Sequence, residues 1–221
     1  MTLHAIIPAK TLSKAKQRLS PLLTPEEREI FALAMLEDVL HAIAGVSQVQ
    51  QIFVVTSDPA IKDLGRKIGV EIVEEKELEG QAPAVDLAIQ VSIERGARSI
   101  LSLPGDVPLV TSGDIEALIA EGIPPPFVVL IPSQEGGTNL LYMSPPDAIP
   151  PRFGGPSFPR HMEEVKKRNI PYMIRHLANL LIDIDTPQDL ARLLEYPQID
   201  KQKRIYREIK RMNLVERLSH I

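Results

Sequence analysis

The chain predicts an α/β fold: a mostly parallel, twisted mixed sheet with helices on both faces, followed by a helical tail. Two observations carry this reading. Short apolar runs alternate with amphipathic stretches nearly throughout, and cap residues stand directly ahead of several of those stretches. Strand–helix–strand alternation implies parallel strands covered on both sides. Right-handed crossovers then bring the strand C-terminal ends to one edge, where ligands bind in open α/β sheets.

In order, Leu3–Pro8 reads as the first strand by length and apolar content. A helix follows over Pro25–Ala44: Thr24 is its N-cap, Pro25 suits the first turn, and Glu27 completes a capping box. Residues 33, 36, 40 and 43 keep one apolar face, and Gly45 supplies a stop. Further strands are expected at Gln51–Ser57, Glu71–Val73, Ser99–Leu103, Phe127–Pro132, Asn139–Met143, Tyr172–Ile174 and Leu180–Ile184. Helices are expected near 59–68, 84–95, 112–121, 157–169 and 187–195, the last opened by Thr186-Pro187. The stretch 122–160 breaks the rhythm with proline pairs and the Gly136-Gly137 and Gly154-Gly155 pairs, and reads as an active-site flap. Residues 1–197 form one expected domain and 198–221 a tail.

Of the 221 residues, 44% are hydrophobic and 24% charged, which excludes a mostly disordered chain. There is no cysteine, so thiol nucleophiles, iron–sulfur clusters, disulfides and cysteine zinc sites are all excluded. The formal charge of −4 gives no electrostatic reason for nucleic-acid binding. Apolar runs fall far short of the roughly 20 residues that span a bilayer. Met1–Lys10 has neither a basic leader nor a small-residue cleavage site, so the expectation is a cytoplasmic protein with no membrane partner. The tail carries seven Lys/Arg against three acids. Its stripe of Ile205, Ile209, Met212, Val215 and Leu218 suits a homodimer contact or packing within the chain.

Four clusters carry candidate chemistry. Pro8-Ala9-Lys10 runs into Lys14, Lys16 and Arg18 directly after the first strand, and four cations there suit a polyphosphate, although no Walker A pattern is present. Leu103-Pro104-Gly105-Asp106-Val107-Pro108 presents one carboxylate at a strand end, a donor for a hard cation such as Mg²⁺, or else forms a plain turn. Asp183 and Asp185, two apart on an expected strand, would face one side. Two like charges together call for a cation between them, unless Asp185 merely caps the next helix. Gly136–Asn139 and Arg152–Phe158 combine close-approach glycines with Ser157 as a helix start suited to phosphate. The histidines show no metal spacing and no Gly-x-Ser-x-Gly elbow is present.

Ile7-Pro8-Ala9-Lys10, Lys16–Leu19, Met35–Val39, Leu103–Pro108, Gly137–Asn139, Arg152–Gly154 and Asp183–Leu190 occur in that order. Together they resemble the 2-phospho-L-lactate guanylyltransferase family of coenzyme F420 biosynthesis, over roughly residues 3–195. The resemblance implies a Rossmann-like nucleotidyltransferase fold, and GMP transfer from GTP to a phosphorylated three-carbon acid with release of pyrophosphate. It implies Mg²⁺ on Asp106, Asp183 and Asp185. It also implies binding of the acid by Lys16, Thr138, Gly154 and Ser157, and lining of the guanine side by Pro8, Ala9, Lys10, Gly80 and Pro83. Asp86 stands where many relatives carry Asn. Lys10, Lys14 and Arg18 are then candidates for the outer phosphates, with Lys16, Arg18 and Asp106 as the catalytic set. The acceptor stays open among 2-phospho-L-lactate, phosphoenolpyruvate and 3-phosphoglycerate. Two other classes also stay open: an Asp-x-Asp nucleotide-sugar glycosyltransferase and a non-catalytic nucleotide-binding regulator.

Overall fold

The computed structural model describes residues 2–74, 80–196 and 200–219. The expected boundary between residues 197 and 198 lies outside the described residues, as does His220. The strands are β1 Leu3–Pro8, β2 Val49–Thr56, β3 Glu71–Glu74, β4 Ser99–Ser102, β5 Phe127–Pro132, β6 Thr138–Ser144 and β7 Tyr172–Ile174. They form a seven-stranded sheet in the order β3-β2-β1-β4-β6-β5-β7. The β3-β2-β1-β4 run is parallel, β6 is antiparallel to both of its neighbours, and β7 is parallel to β5.

Strand β1 is buried on both faces, and its side chains alternate accordingly. Ala5 and Ile7 join one apolar cluster, with Val39, Leu40 and Ile43 of helix α1 (Pro25–Ala44) and Ile61 of α2 (Pro59–Ile68). Ile6 joins the opposite cluster, with Val85 and Ile89 of α3 (Gln81–Glu94) and Val165 of α5 (Ser157–Arg168). The remaining helices are α4 Ser112–Ala120, α6 Pro187–Glu195, α7 Arg204–Arg211 and α8 Leu214–Leu218. Capping boxes are formed by Thr24 and Glu27, by Thr111 and Asp114, and by Thr186 and Asp189. Helix α3 starts at Gln81, earlier than expected, because Pro83 falls in its first turn, where no N–H is needed. No helix among the described residues is long and apolar enough to cross a membrane.

Two expectations change. No strand forms over Leu180–Ile184: Leu180 ends a 3₁₀ turn and the chain then runs without a ladder. Strand β4 is already flanked by β1 and β6, so the segment docks instead through isolated bonds, from the Ile184 N–H to the Asp106 carbonyl (3.1 Å) and from the Asn139 side-chain amide to the Leu180 carbonyl (2.8 Å). The segment 122–160 is not a flap as a whole. It supplies β5 and β6 to the sheet interior, and its loops line the site together with the first residues of β6.

The tail stripe is largely satisfied within the chain. Ile205, Ile209 and Met212 are buried in a third cluster with Phe31 and Met35 of α1. Asn213, with φ 51°, breaks the helix, and Val215 is turned outward at 62% exposure. A buried side chain of α1 anchors the tail. Asp38 accepts the N–H groups of Arg204 (2.7 Å) and Ile205 (2.8 Å), satisfying the first turn of α7 as an N-cap would. Asp38→Ala is therefore expected to lower stability by about 1–2 kcal/mol, read as a shift in the urea midpoint. An unchanged midpoint would show that the tail is held without this cap.

Candidate active site

The site lies along the edge formed by the C-terminal ends of β1 and β4. The loop after β4 passes so close to α1 that a Cβ on Gly105 would stand 2.8 Å from Leu36 Cδ1. A side chain at this position would have to displace the Leu36 side chain, and the close path of the loop delivers Asp106 to the edge. The loop after β1 is pinned by buried Leu12, whose N–H donates to Asp58 Oδ2 (2.9 Å), and by fully buried Leu19. Between these anchors Lys16 adopts a left-handed conformation, φ 51° and ψ 38°. That conformation is uncommon for a residue with a side chain.

Its ammonium Nζ lies 2.7 Å from Asp106 Oδ2 and 2.6 Å from Asp185 Oδ1. Burial works against the Lys16 charge, but the two carboxylates outweigh it and hold its pKa above the ordinary lysine value. Asp185 is free for this contact because capping is done by Asp189, which accepts the Asp185 and Thr186 N–H groups. Asp183 completes the acidic group. Burial, then the charges of Asp106 and Asp185, push its carboxyl up to about 6, partly offset by a hydrogen bond with the Asn139 side chain. Among the described residues, no three acidic or histidine side chains already stand in a metal-holding arrangement. The cation between Asp106 and Asp185 is the lysine.

Two cavities open here. One, about 330 Å³, is lined by Pro8, Ala9, Lys10, Lys14, Lys16 and Gly80. The other, about 510 Å³, is lined by Arg18, Ser133, Thr138, Gly154, Ser157 and Asp183. Asp106 and Asp185, with Gln81 and Pro104, line both. Pro83 and Asp86 line neither; they are exposed on α3. Arg18 sits on the second cavity rather than beside Lys10 and Lys14, its guanidinium 3.4 Å from the Glu135 carboxylate with both side chains largely exposed. Ser157 starts α5 but does not cap it.

Sequence reasoning missed Asn139 as a side-chain partner, Asp58 as the loop anchor, and His161. His161 was discoverable, since it lies four residues after Ser157 and so on the same helical face. It is fully buried, with Thr138 Oγ1 2.9 Å from Nδ1 and the Arg152 N–H donating to Nε2 at 2.8 Å.

Burial, then the nearby Arg160 and Arg152 charges, lower the His161 pKa to about 4 against a weaker pull from Glu164. The unfolded chain, at about 6.5, takes up a proton on this ring that the native state refuses. Stability therefore falls as pH drops from about 6.5 toward 4, by up to about 3 kcal/mol. Urea unfolding of wild type and His161→Asn at pH 7 and pH 4.5 should show the larger acid loss in wild type; parallel losses would refute this.

Solved structures share this fold at low sequence identity. A nucleotidyl transferase from Methanothermobacter matches with a TM-score of 0.64 at 15% identity, covering 88% of this chain and 97% of that one. A provisionally described nucleotide-diphospho-sugar transferase from Desulfovibrio desulfuricans G20 matches with a TM-score of 0.78 at 14% identity, covering 100% and 98%. The fold is that of the nucleotidyltransferases.

Within that class, the family model described as guanylyl transferase CofC like matches residues 3–218, tail included, and the chain belongs to this family. It is 34% identical over 194 residues to the phosphoenolpyruvate guanylyltransferase of Sphaerobacter thermophilus, covering 87% of this chain and 93% of the relative. It is 35% identical over 192 residues to the 2-phospho-L-lactate guanylyltransferase of Methanocaldococcus infernus, covering 86% and 84%.

Proposed function

We propose that this protein is a cytoplasmic guanylyltransferase that joins GMP from GTP to 2-phospho-L-lactate or phosphoenolpyruvate, releasing pyrophosphate, in coenzyme F420 biosynthesis. The observation that carries the reading is the acidic wall common to both cavities. Asp106 and Asp185 stand between a cation-rich cavity suited to a triphosphate and a smaller-residue cavity suited to a phosphorylated acid.

In this mechanism an oxygen of the acid's phosphate attacks the α-phosphorus of GTP in line. A new P–O–P bridge forms while the bond from the α-phosphorus to the β-bridging oxygen breaks. The attacking phosphate is already ionised at neutral pH, so no strong base is needed, and catalysis is positioning plus charge neutralisation. Lys10 and Lys14 meet the outer phosphates from the first cavity. Thr138, Ser157 and the backbone at Gly154, where φ is 95°, hold the acid in the second. Lys16 carries positive charge at the boundary between them.

The donor set fits Mg²⁺. All three candidate ligands are hard carboxylate oxygens, and Asp106 Oδ1 is buried with no hydrogen-bond partner, leaving its lone pairs unused. Asp106, Asp185 and Asp183 would hold the ion, which when bound supplies charge neutralisation at the α-phosphoryl oxygens.

The test is a panel of 2-phospho-L-lactate, phosphoenolpyruvate and 3-phosphoglycerate with GTP and Mg²⁺, following pyrophosphate and identifying the product by mass. A guanylylated acid is expected. Consumption of a nucleotide-sugar instead would assign glycosyl transfer, and tight GTP binding without turnover on any acid would assign a regulatory binder.

A further inference from the structure

The second cavity has a hydrogen-bond wall whose polarity is fixed from behind by a residue that does not line it. We propose that His161 is a positioning residue that turns one hydroxyl hydrogen of the Thr138–Ser157 pair out into the cavity, making that wall a donor for an anionic oxygen of the acceptor. The acceptor's identity as a phosphorylated acid rests on the function proposed above; the wall's polarity does not.

The argument is a count of hydrogens. The Arg152 backbone N–H always carries its proton and donates to His161 Nε2 (2.8 Å), so that nitrogen presents a lone pair. A neutral imidazole then carries its proton on Nδ1, which lies 2.9 Å from Thr138 Oγ1 and donates to it. Thr138 Oγ1 is also 3.0 Å from Ser157 Oγ. Three hydrogens are available, from Nδ1, Thr138 and Ser157, and the two bonds among these groups use two. Whichever hydroxyl bridges the pair, one hydroxyl hydrogen remains, and both side chains line the cavity.

With the proton on Nε2 the outcome reverses. Thr138 would donate to Nδ1 and Ser157 to Thr138, all hydrogens would be used, and the wall would offer only lone pairs to an anion. The tautomer thus decides whether the cavity attracts or repels a carboxylate or phosphate oxygen at this point.

The surroundings hold that choice. Arg152 is fixed by its guanidinium on Glu164 (Nε to Oε1, 2.9 Å), one turn along α5 from His161. The Phe153 ring packs edge-on against the imidazole at 4.9 Å between centroids. Burial and the flanking arginines keep the ring neutral near pH 7.

Two measurements test this. Nitrogen-15 NMR of the wild-type imidazole, with His161→Phe used to assign the signal, is expected to show His161 protonated on Nδ1; a proton on Nε2 overturns the proposal. In steady-state kinetics with phosphoenolpyruvate or 2-phospho-L-lactate, His161→Phe keeps the ring packing but removes the lock. It should raise KM for the acid about 10- to 100-fold, with KM for GTP and kcat at saturating acid nearly unchanged. His161→Asn, whose amide can donate from the Nδ1 position, should recover most of the loss. Equal losses in both KM values, or an unchanged acid KM in the phenylalanine variant, would leave His161 a packing residue only. If wild type releases no pyrophosphate with any acid, the reaction proposed above falls, and the tautomer still decides this inference.

Discussion

Replacing Asp106 by alanine is expected to lower kcat for pyrophosphate release about 10²–10³-fold, the scale for removing one preorganised electrostatic group at a reacting centre. Asp106 lines both cavities, at the boundary where the mechanism proposed above has the new phosphoanhydride form. Its side chain bonds only to Lys16, with Oδ1 unpartnered, while the loop is held by backbone and by Gly105 packing on Leu36. The variant should therefore fold, and KM for GTP should move far less than kcat. Asp106→Asn, which keeps the shape but halves the donor oxygens and removes the charge, should lie near alanine. Pyrophosphate release within a few-fold of wild type in both variants would remove Asp106 from the reaction and with it the shared-wall mechanism.

Lys16→Met should produce the second large effect, on activity and stability together. Its ammonium bridges Asp106 and Asp185, and its side chain is 7% exposed while those carboxylates are 27% and 39% exposed. Removing the cation leaves like charges facing each other. The solvent access of both carboxylates reduces the penalty from the 3–5 kcal/mol of a fully buried broken pair to about 1–3 kcal/mol. For a chain of this size that is a Tm drop of very roughly 2–12 °C. Turnover should fall about 100-fold, since a charge at the cavity boundary is lost. The distinguishing signature is Mg²⁺. On the metal site proposed above, a divalent cation would take the place the ammonium leaves, so millimolar Mg²⁺ without nucleotide should raise Tm more in Lys16→Met than in wild type. Equal Mg²⁺ responses would mean that the lysine and the metal do not compete for these carboxylates.

The elements were largely legible because their signals are local. Helix α1 could be bounded from Thr24, Pro25, Glu27 and Gly45 alone, and the buried strands from their length and apolar content. The segment after Leu180 was misread for the same reason. Its apolar residues look like a strand, but a strand needs an open partner, and β4 has none. The candidate site divides along similar lines. Asp106, Asp183, Asp185 and Lys16 were visible as charged residues at element ends, whereas the pairing of Lys16 with two of the aspartates spans 90 and 169 residues of chain. His161 carried no signal beyond the lack of metal spacing among the histidines, because its meaning depends on the Arg152 N–H that meets it.

The sequence by itself determined the alternation of elements, the caps, the acidic and basic residues at the sheet edge and the family resemblance, since each depends on neighbours a few positions away. The tertiary structure alone decided which strand runs backwards. Because β6 enters between β4 and β5 in the antiparallel sense, its first residue, Thr138, lies at the same edge as Pro8 and Asp106. A parallel β6 would carry Thr138 to the far side of the sheet. Strand direction is set by pairing across the sheet and by packing of both faces, which no local pattern encodes.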